Sequence, residues 1–258
     1  HARGIMDALS GLERKHFAFA IKANPNLSVL RVLAKCGFGA DVVSGGEIAR
    51  ALASGIAPAD VVFSGVGKTR EELQRAIDDG IGQFNIELED EGIAISELAV
   101  ATGKRAVAVL RVNPDVDAKT HAKISTGKKE NKFGVPIDQA GAIYARLARL
   151  PGLDMRGVAL HIGSQVFDLD PLEAGYARIG KFVGELRAAG FAIDRVDLGG
   201  GLGVPYQRGQ VPPEPAEYGR MVARVTKGWD VTLMFEPGRV IVGNAGVLLT
   251  RVIWVKPG

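Results

Sequence analysis

Apolar residues fall in short blocks separated by longer amphipathic stretches, and the two alternate along almost the whole chain. The block FAFAI at 17–21 reads as a strand, and 27–36 follows as a helix. The pairing then recurs. Strand 40–43 precedes helix 46–54, 61–63 precedes 70–79, 83–86 precedes 89–101, and 106–112 precedes 138–150. Strand 155–161 precedes helix 172–189, 195–198 precedes 216–226, and 231–235 is a last strand. Parallel strands covered by helices on their faces read as continuous apolar runs of this kind. About eight strand-then-helix units predict an α/β fold, a (β/α)8 barrel of the TIM type. An open doubly wound sheet is the alternative, and a polar cluster after nearly every strand favours the barrel. The final run, VIVGNAGVLLTRVIWV at 240–255, is β-rich with no helix after it. It predicts a barrel over 1–239 and, over 240–258, the first strands of a truncated C-terminal β-domain.

Composition changes this picture only by exclusion. Of 258 residues, 47% are hydrophobic, which suits a globular chain. The net charge of +3 is too small, and too evenly spread, to point to nucleic acid. The densest basic cluster, KTHAKISTGKKENK at 119–132, reads as a solvated loop or a loop near an anion. The single cysteine, Cys36 in VLAKCGF, makes no intrachain disulfide and no metal cluster, so a reducing cytoplasm is expected and no metal site. No apolar run approaches the ~20 residues of a membrane span, and no signal peptide is apparent. The chain opens at His1 and closes at VKPG straight after a strand-like run, which suggests a piece of a longer protein.

In a barrel the C-terminal strand ends share one mouth. The residues gathered there are Lys22, then Asp41, Ser44 and Glu47 in ADVVSGGE, then Ser64 and Gly65, then Asn85 and Glu87. Arg111 and Asn113 follow, with His161, Ser164 and Gln165 in HIGSQ, the glycines in LGGGLG, and EPGR at 236–239. A lysine at a buried strand end loses solvation, and its pKa is expected to fall. The neutral amine attacks an aldehyde to form a Schiff base, although a strand-end lysine can equally reach out to solvent. The glycine triplet offers bare amides for a phosphate, or simply a tight turn, and it lacks the dinucleotide spacing. Glu236 is placed to hold a protonated ring nitrogen or accept a substrate proton, or else to pair with Arg239. His161 is placed for acid–base work, for stacking on a flat ligand, or for packing over the barrel core. Lysine, phosphate nest, flat-ring partner and strand-end carboxylate are together the requirements of pyridoxal phosphate.

Eight motifs, FAIKANPN, GADVVSGGE, SGVGKT, LRVNPD, STGKKENKFG, HIGSQ, DLGGGLG and FEPGR, stand in one order across residues 17–239. In this the chain resembles the pyridoxal-phosphate-dependent decarboxylases of the alanine-racemase-like barrel fold. TGKKENKFG together with HIGSQ is most similar to the bacterial members that decarboxylate diaminopimelate, more than to those acting on ornithine or arginine. The resemblance implies that Lys22 carries the cofactor, His161 stacks on its ring, and Glu236 pairs with the ring nitrogen. It implies Gly199, Gly200, Gly201, Gly238 and Ser164 around the phosphate, and Arg239 on phosphate or a substrate carboxylate. Asp41, Glu47 and Arg111 match positions that line or buttress the cofactor. It further implies a small amino-acid substrate, a homodimer in the full-length protein, and a C-terminal β-domain that supplies a cysteine and a tyrosine to the site. Cys36 is not that cysteine. Leu88 departs from the pattern, which usually has a small polar residue there. A racemase on the same fold, a non-catalytic relative, and a cofactor-free aldolase barrel using Lys22 are the competing readings.

Overall fold

The structure is a computed structural model that describes residues 1–117, 133–247 and 249–256. Parallel strands β1 (Lys15–Ala20), β2 (Gly39–Val42), β3 (Val61–Phe63), β4 (Gln83–Ile86) and β5 (Ala106–Asn113) run side by side. After β6 (Val135–Pro136), a two-residue strand on the end of β5, the ring continues through β7 (Leu153–Ala159), β8 (Arg195–Asp197) and β9 (Thr232–Phe235). β9 pairs with β1, so the ring closes into the expected barrel. The basic cluster at 119–132, and all of STGKKENKFG except Phe133 and Gly134, lie outside the described residues.

Helices α2 (Leu27–Lys35), α3 (Gly45–Ala53), α4 (Arg70–Asp79), α5 (Glu89–Ala101), α6 (Ile137–Leu147), α7 (Asp170–Ala188) and α8 (Pro215–Val225) wrap the outside, following α1 (Ala2–Ala8). Polar residues just after the strands start several of them. Asn26 accepts from the Ser28 and Val29 amides, Ser44 from Glu47, and Thr69 forms a reciprocal capping box with Glu72. Gly80 ends α4 at φ 72°, a left-handed conformation that favours glycine. α5 begins instead on Leu88, whose side chain caps nothing. Glu89, Asp90 and Glu91 in its first turn offset the helix dipole.

Strand residues alternate, with one register shift in β7 opposite Ala108 and Val109. Phe17, Phe19, Ala40, Val42, Val61, Phe63, Phe84, Ile86, Leu110, Val158, Val196, Leu233 and Phe235 join the large core between sheet and helices. Ala18, Val62 and Met234 form a separate small cluster inside the barrel. Beside them Ala20, Val109 and Ala159 are buried as well, and so are the polar Gln83, Asn85, Asp41 and Asp197. The interior is therefore apolar only in part, and its upper end is a set of functional groups on rigid mounts.

Two elements differ from the sequence reading. α1 was not expected, because ARGIMDALSGL offers only Ile5 and Leu9 as buried apolar positions. It packs so closely on α8 that a Cβ on Gly219 would lie 2.0 Å from the Ala8 carbonyl oxygen. Residues 240–242, expected to open a β-run, lie instead in a helical turn, α9 (Arg239–Val242). Residues 249–256 carry no strand, for a strand needs a partner edge and no described strand pairs with them.

Candidate active site

The strand ends surround one cavity of about 840 Å³, within the usual range for a small-molecule site. Lys22, Asp41, Arg111, His161, Ser164, Gly199, Gly200, Gly201, Glu236, Gly238 and Arg239 all line it. Of the residues expected to contact or buttress a ligand, only Glu47 stands back. Its carboxylate accepts the Val43 amide at 2.8 Å and acts on the cavity through its charge.

Lys22 sits in a single 3-10 turn, Ile21–Ala23, directly after β1. Its Nζ donates to Asp41 Oδ2 at 2.6 Å, and about half of its side-chain surface, 51%, faces the open cavity. Burial works against its charge, but Asp41, Glu236 and Glu47 outweigh that, so its pKa lies above the ordinary lysine value. This corrects the expected fall. The sequence shows a lysine ending an apolar strand, not the acids that β2 and β9 place beside it.

His161 lies just past the end of β7. Burial, then Arg111 and Lys22, push its pKa down to about 3. Its Nδ1 accepts the Gly200 amide at 3.3 Å, so the proton of the neutral ring sits on Nε2. A ring held neutral suits the face of a flat ligand better than acid–base exchange. Glu236 follows β9 directly and is half-buried in the cavity wall. Its Oε1 accepts from Asn85 Nδ2 at 3.3 Å and Ser64 Oγ at 3.4 Å. Burial, Asp197 and Asp41 drive its pKa well above the usual carboxylate range. The simpler pairing with Arg239 is not formed. Arg239 donates instead to Tyr206 Oη at 2.5 Å and Ser164 Oγ at 3.2 Å.

The glycine triplet after β8 is required by space. A Cβ on Gly200 would stand 2.2 Å from the Glu236 carbonyl oxygen, and one on Gly201, at φ 124°, 2.4 Å from that of Gly163. Gln165 anchors this turn through two bonds to the Val204 backbone, accepting at 3.1 Å and donating at 2.6 Å. Among the described residues, two buried polar atoms at the cavity have no partner, Asp41 Oδ1 and Arg239 Nε. One is an acceptor beside the lysine and the other a cationic donor beside the glycine turn. A phosphorylated aldehyde with a basic ring fits this set: amine and acceptor at one end, ring carboxyl at Glu236, anion donors at the other. Among the described residues no group of three His, Cys, Asp or Glu side chains could hold a metal ion.

The pyridoxal-dependent decarboxylase family, through the model of its pyridoxal-binding domain, matches residues 2–243. The chain belongs to this family. The diaminopimelate decarboxylase of Zymomonas mobilis is 52% identical over 258 residues, covering 99% of this chain and 61% of that protein. That of Pseudomonas aeruginosa is 51% identical over 254 residues, 98% of this chain and 61% of its own length. The crystal structure of Helicobacter pylori diaminopimelate decarboxylase complexed with L-lysine superposes with a TM-score of 0.89 at 39% identity. It covers 93% of this chain and 60% of that one. The chain thus spans about three-fifths of the length of these relatives. A membership that names pyridoxal agrees with the cofactor inferred from the cavity.

Several residues around the cavity had no assigned role in the sequence. Asp197 lies inside a strand in VDLGGG, and only its inward register distinguishes it. Glu87 accepts Arg111 Nη1 at 2.6 Å, the Gly65 amide at 3.1 Å and the Gly134 amide at 2.9 Å, tying three loops together. Lys68, in SGVGKT, is fully buried and donates to Gly65 O at 2.7 Å, Asn85 O at 2.9 Å and Glu91 Oε1 at 2.5 Å. Tyr206 is identifiable only once its hydroxyl is seen on Arg239.

Proposed function

We propose that this chain is the cofactor-binding barrel of a pyridoxal-phosphate-dependent decarboxylase that converts meso-diaminopimelate to L-lysine and CO2. The observation that carries the chemistry is the meeting of Lys22, Glu236 and the crowded glycine turn in one cavity. The substrate rests on the relatives, which bear that name at 47–52% identity over nearly the whole chain. When bound, pyridoxal phosphate supplies an aldehyde carbon for the substrate amine and a ring that takes up the electron pair left by the departing carboxyl group. The chain's own residues do the rest. Lys22 offers its amine next to Asp41, which holds that amine's proton until the aldehyde carbon is presented. His161 lays a neutral ring face into the cavity. Gly199, Gly200, Gly201, Ser164 and Arg239 would hold the phosphate, and Arg239 also stands where a substrate carboxylate would meet a guanidinium. Glu236 holds a proton where the ring nitrogen would sit.

We read residues 240–258 as the lead into a second domain, with a homodimer for the full-length protein. The strong exposure of Val247, Leu249, Ile253 and Trp254 supports both, since contiguous apolar side chains call for a covering surface. Among the described residues no helix is long and apolar enough to cross a membrane. The lone cysteine and a biosynthetic substrate fit the cytoplasm.

The test uses the full-length protein. Adding pyridoxal phosphate should produce the visible absorbance of a lysine adduct in the parent and none in Lys22→Ala. Release of CO2 should be faster from meso-diaminopimelate than from ornithine or arginine. Equal release from all three overturns the substrate, and an adduct band in Lys22→Ala overturns the lysine.

A further inference from the structure

A column of polar side chains runs up the inside of the barrel to the base of Glu236. It starts at Arg195 on β8, whose Nη1 donates to Gln83 Oε1 at 3.2 Å. Gln83 Nε2 donates to Asn85 Oδ1 at 2.7 Å. Asn85 Nδ2 then lies 3.2 Å from Asp197 Oδ2, 3.3 Å from Glu236 Oε1 and 3.0 Å from Ser64 Oγ.

The direction of the column follows from its first member. A guanidinium has donors only, so Gln83 must present its oxygen to Arg195 and its NH2 group upward. Asn85 must then accept from Gln83 with its oxygen and present its own NH2 group to the two carboxyl groups. An isolated amide turns over at little cost, whereas this one is fixed by a cation two residues away. Two carboxyl oxygens from different strands therefore reach one nitrogen in a buried site. Carboxylates sharing such a site do not both ionise, and one keeps a proton.

The donor count decides which one. Asp197 receives the Gly199 amide at 2.9 Å on Oδ1, and both Asn85 and Gln83 on Oδ2, the latter at 3.5 Å. Glu236 receives Asn85 and the Ser64 hydroxyl. Asp197 is the better solvated anion. The other charges facing the pair are Asp41 from β2, Lys22 after β1 and Arg111 from β5. His161 adds none, since its ring is neutral. Resting on the cofactor reading above, we propose that Asn85 is a positioning residue that binds Asp197 and Glu236 into one proton-sharing pair, with the proton on Glu236 before any ring nitrogen arrives. The rise in the affinity of both acids for protons, caused first by burial, is in keeping with this. The consequence is a carboxyl group charged with its proton in advance, and a site selective for a ring nitrogen that can take it.

The experiment needs no turnover. Full-length protein stripped of cofactor is labelled with 13C at glutamate or at aspartate side-chain carboxyls, and its protonated-carboxyl infrared band is titrated with pH. At neutral pH the parent should show such a band that moves with the glutamate label and is absent in Glu236→Gln. In Asp197→Asn, which keeps the shape of the residue, the midpoint of that band should shift to lower pH. In Asn85→Leu it should shift to higher pH, because both acids lose their shared donor. Should Asn85→Leu not fold, Asp197→Asn decides alone. An unmoved midpoint in Asp197→Asn, or a neutral-pH band that follows the aspartate label, overturns the proposal. Formation of the Lys22 absorbance band on adding pyridoxal phosphate is recorded separately. A failure of the cofactor reading is thereby told apart from a failure of the carboxyl pair.

Discussion

Glu87 is the position where a small change should cost the most outside the cavity itself. Its carboxylate is 1% exposed and that of its partner, the Arg111 guanidinium, 11%. Replacing Glu87 with alanine leaves that guanidinium without its buried counter-charge, a loss of about 3–5 kcal/mol. It also orphans the Gly65 and Gly134 amides, each about 1–3 kcal/mol when left unpaired away from water. Water entering the space returns part of this, so a net loss of at least about 3 kcal/mol is expected, a large share of a domain's stability of about 5–15 kcal/mol. Glu87→Gln discriminates the cause. Its oxygen can serve Arg111 and Gly65, but its NH2 group then faces the Gly134 amide, donor against donor. That variant also lacks the counter-charge but keeps a hydrogen bond to the guanidinium, so its loss should exceed about 1 kcal/mol and stay below that of alanine. Urea unfolding followed by far-ultraviolet circular dichroism measures both, with the slope against urea unchanged. If alanine and glutamine both fall within about 1 kcal/mol of the parent, the loops are held by packing and the three-way acceptor is not a stabilising element.

Other outcomes follow from the same coordinates. Leu88→Ser supplies the missing cap on α5 and should raise stability by about 1 kcal/mol in the same urea assay. Gly201→Ala forces a side chain into a left-handed backbone against the Gly163 carbonyl, and should weaken phosphate-dependent retention of pyridoxal phosphate more than retention of pyridoxal, by equilibrium dialysis. The raised proton affinity of Glu236 makes the empty protein lose stability as pH rises above its unfolded value near 4.5, because the folded state must keep a proton that the unfolded chain releases. Glu236→Gln should flatten that decline by up to about 1.4 kcal/mol per pH unit, read from thermal melts across pH. A decline of equal slope in both proteins would assign it to other groups.

The strand-then-helix rhythm was legible because each apolar block is short and several helices carry their own caps; α4 at Arg70–Asp79 and β4 at Gln83–Ile86 fall on the expected residues. Period-two alternation was the signal passed over. Asp197 sits inside what reads as a short strand, yet its inward register makes it a partner of Glu236. Lys22 was identifiable by type and position, while the sign of its pKa shift was not, since Asp41 reaches it from another strand. Tyr206 and Glu87 act through partners far along the chain, and no local pattern records such partners. α1 escaped notice because its burial depends on α8, more than 200 residues downstream.

That last contact bears on how the protein is made. α1 and β1 emerge well before their neighbours α8 and β9, the last of the barrel to be synthesised. Until about residue 235 has left the ribosome, β1 keeps an open edge beside Phe17 and Phe19, and Ile5 and Leu9 have no helix to cover them. Closing a loop of that length adds little to its equilibrium cost but delays the step, since contacts so distant in sequence form late. The α1–β1 segment is therefore where a chaperone would find the nascent barrel most in need of cover, and where a stalled chain would begin to aggregate.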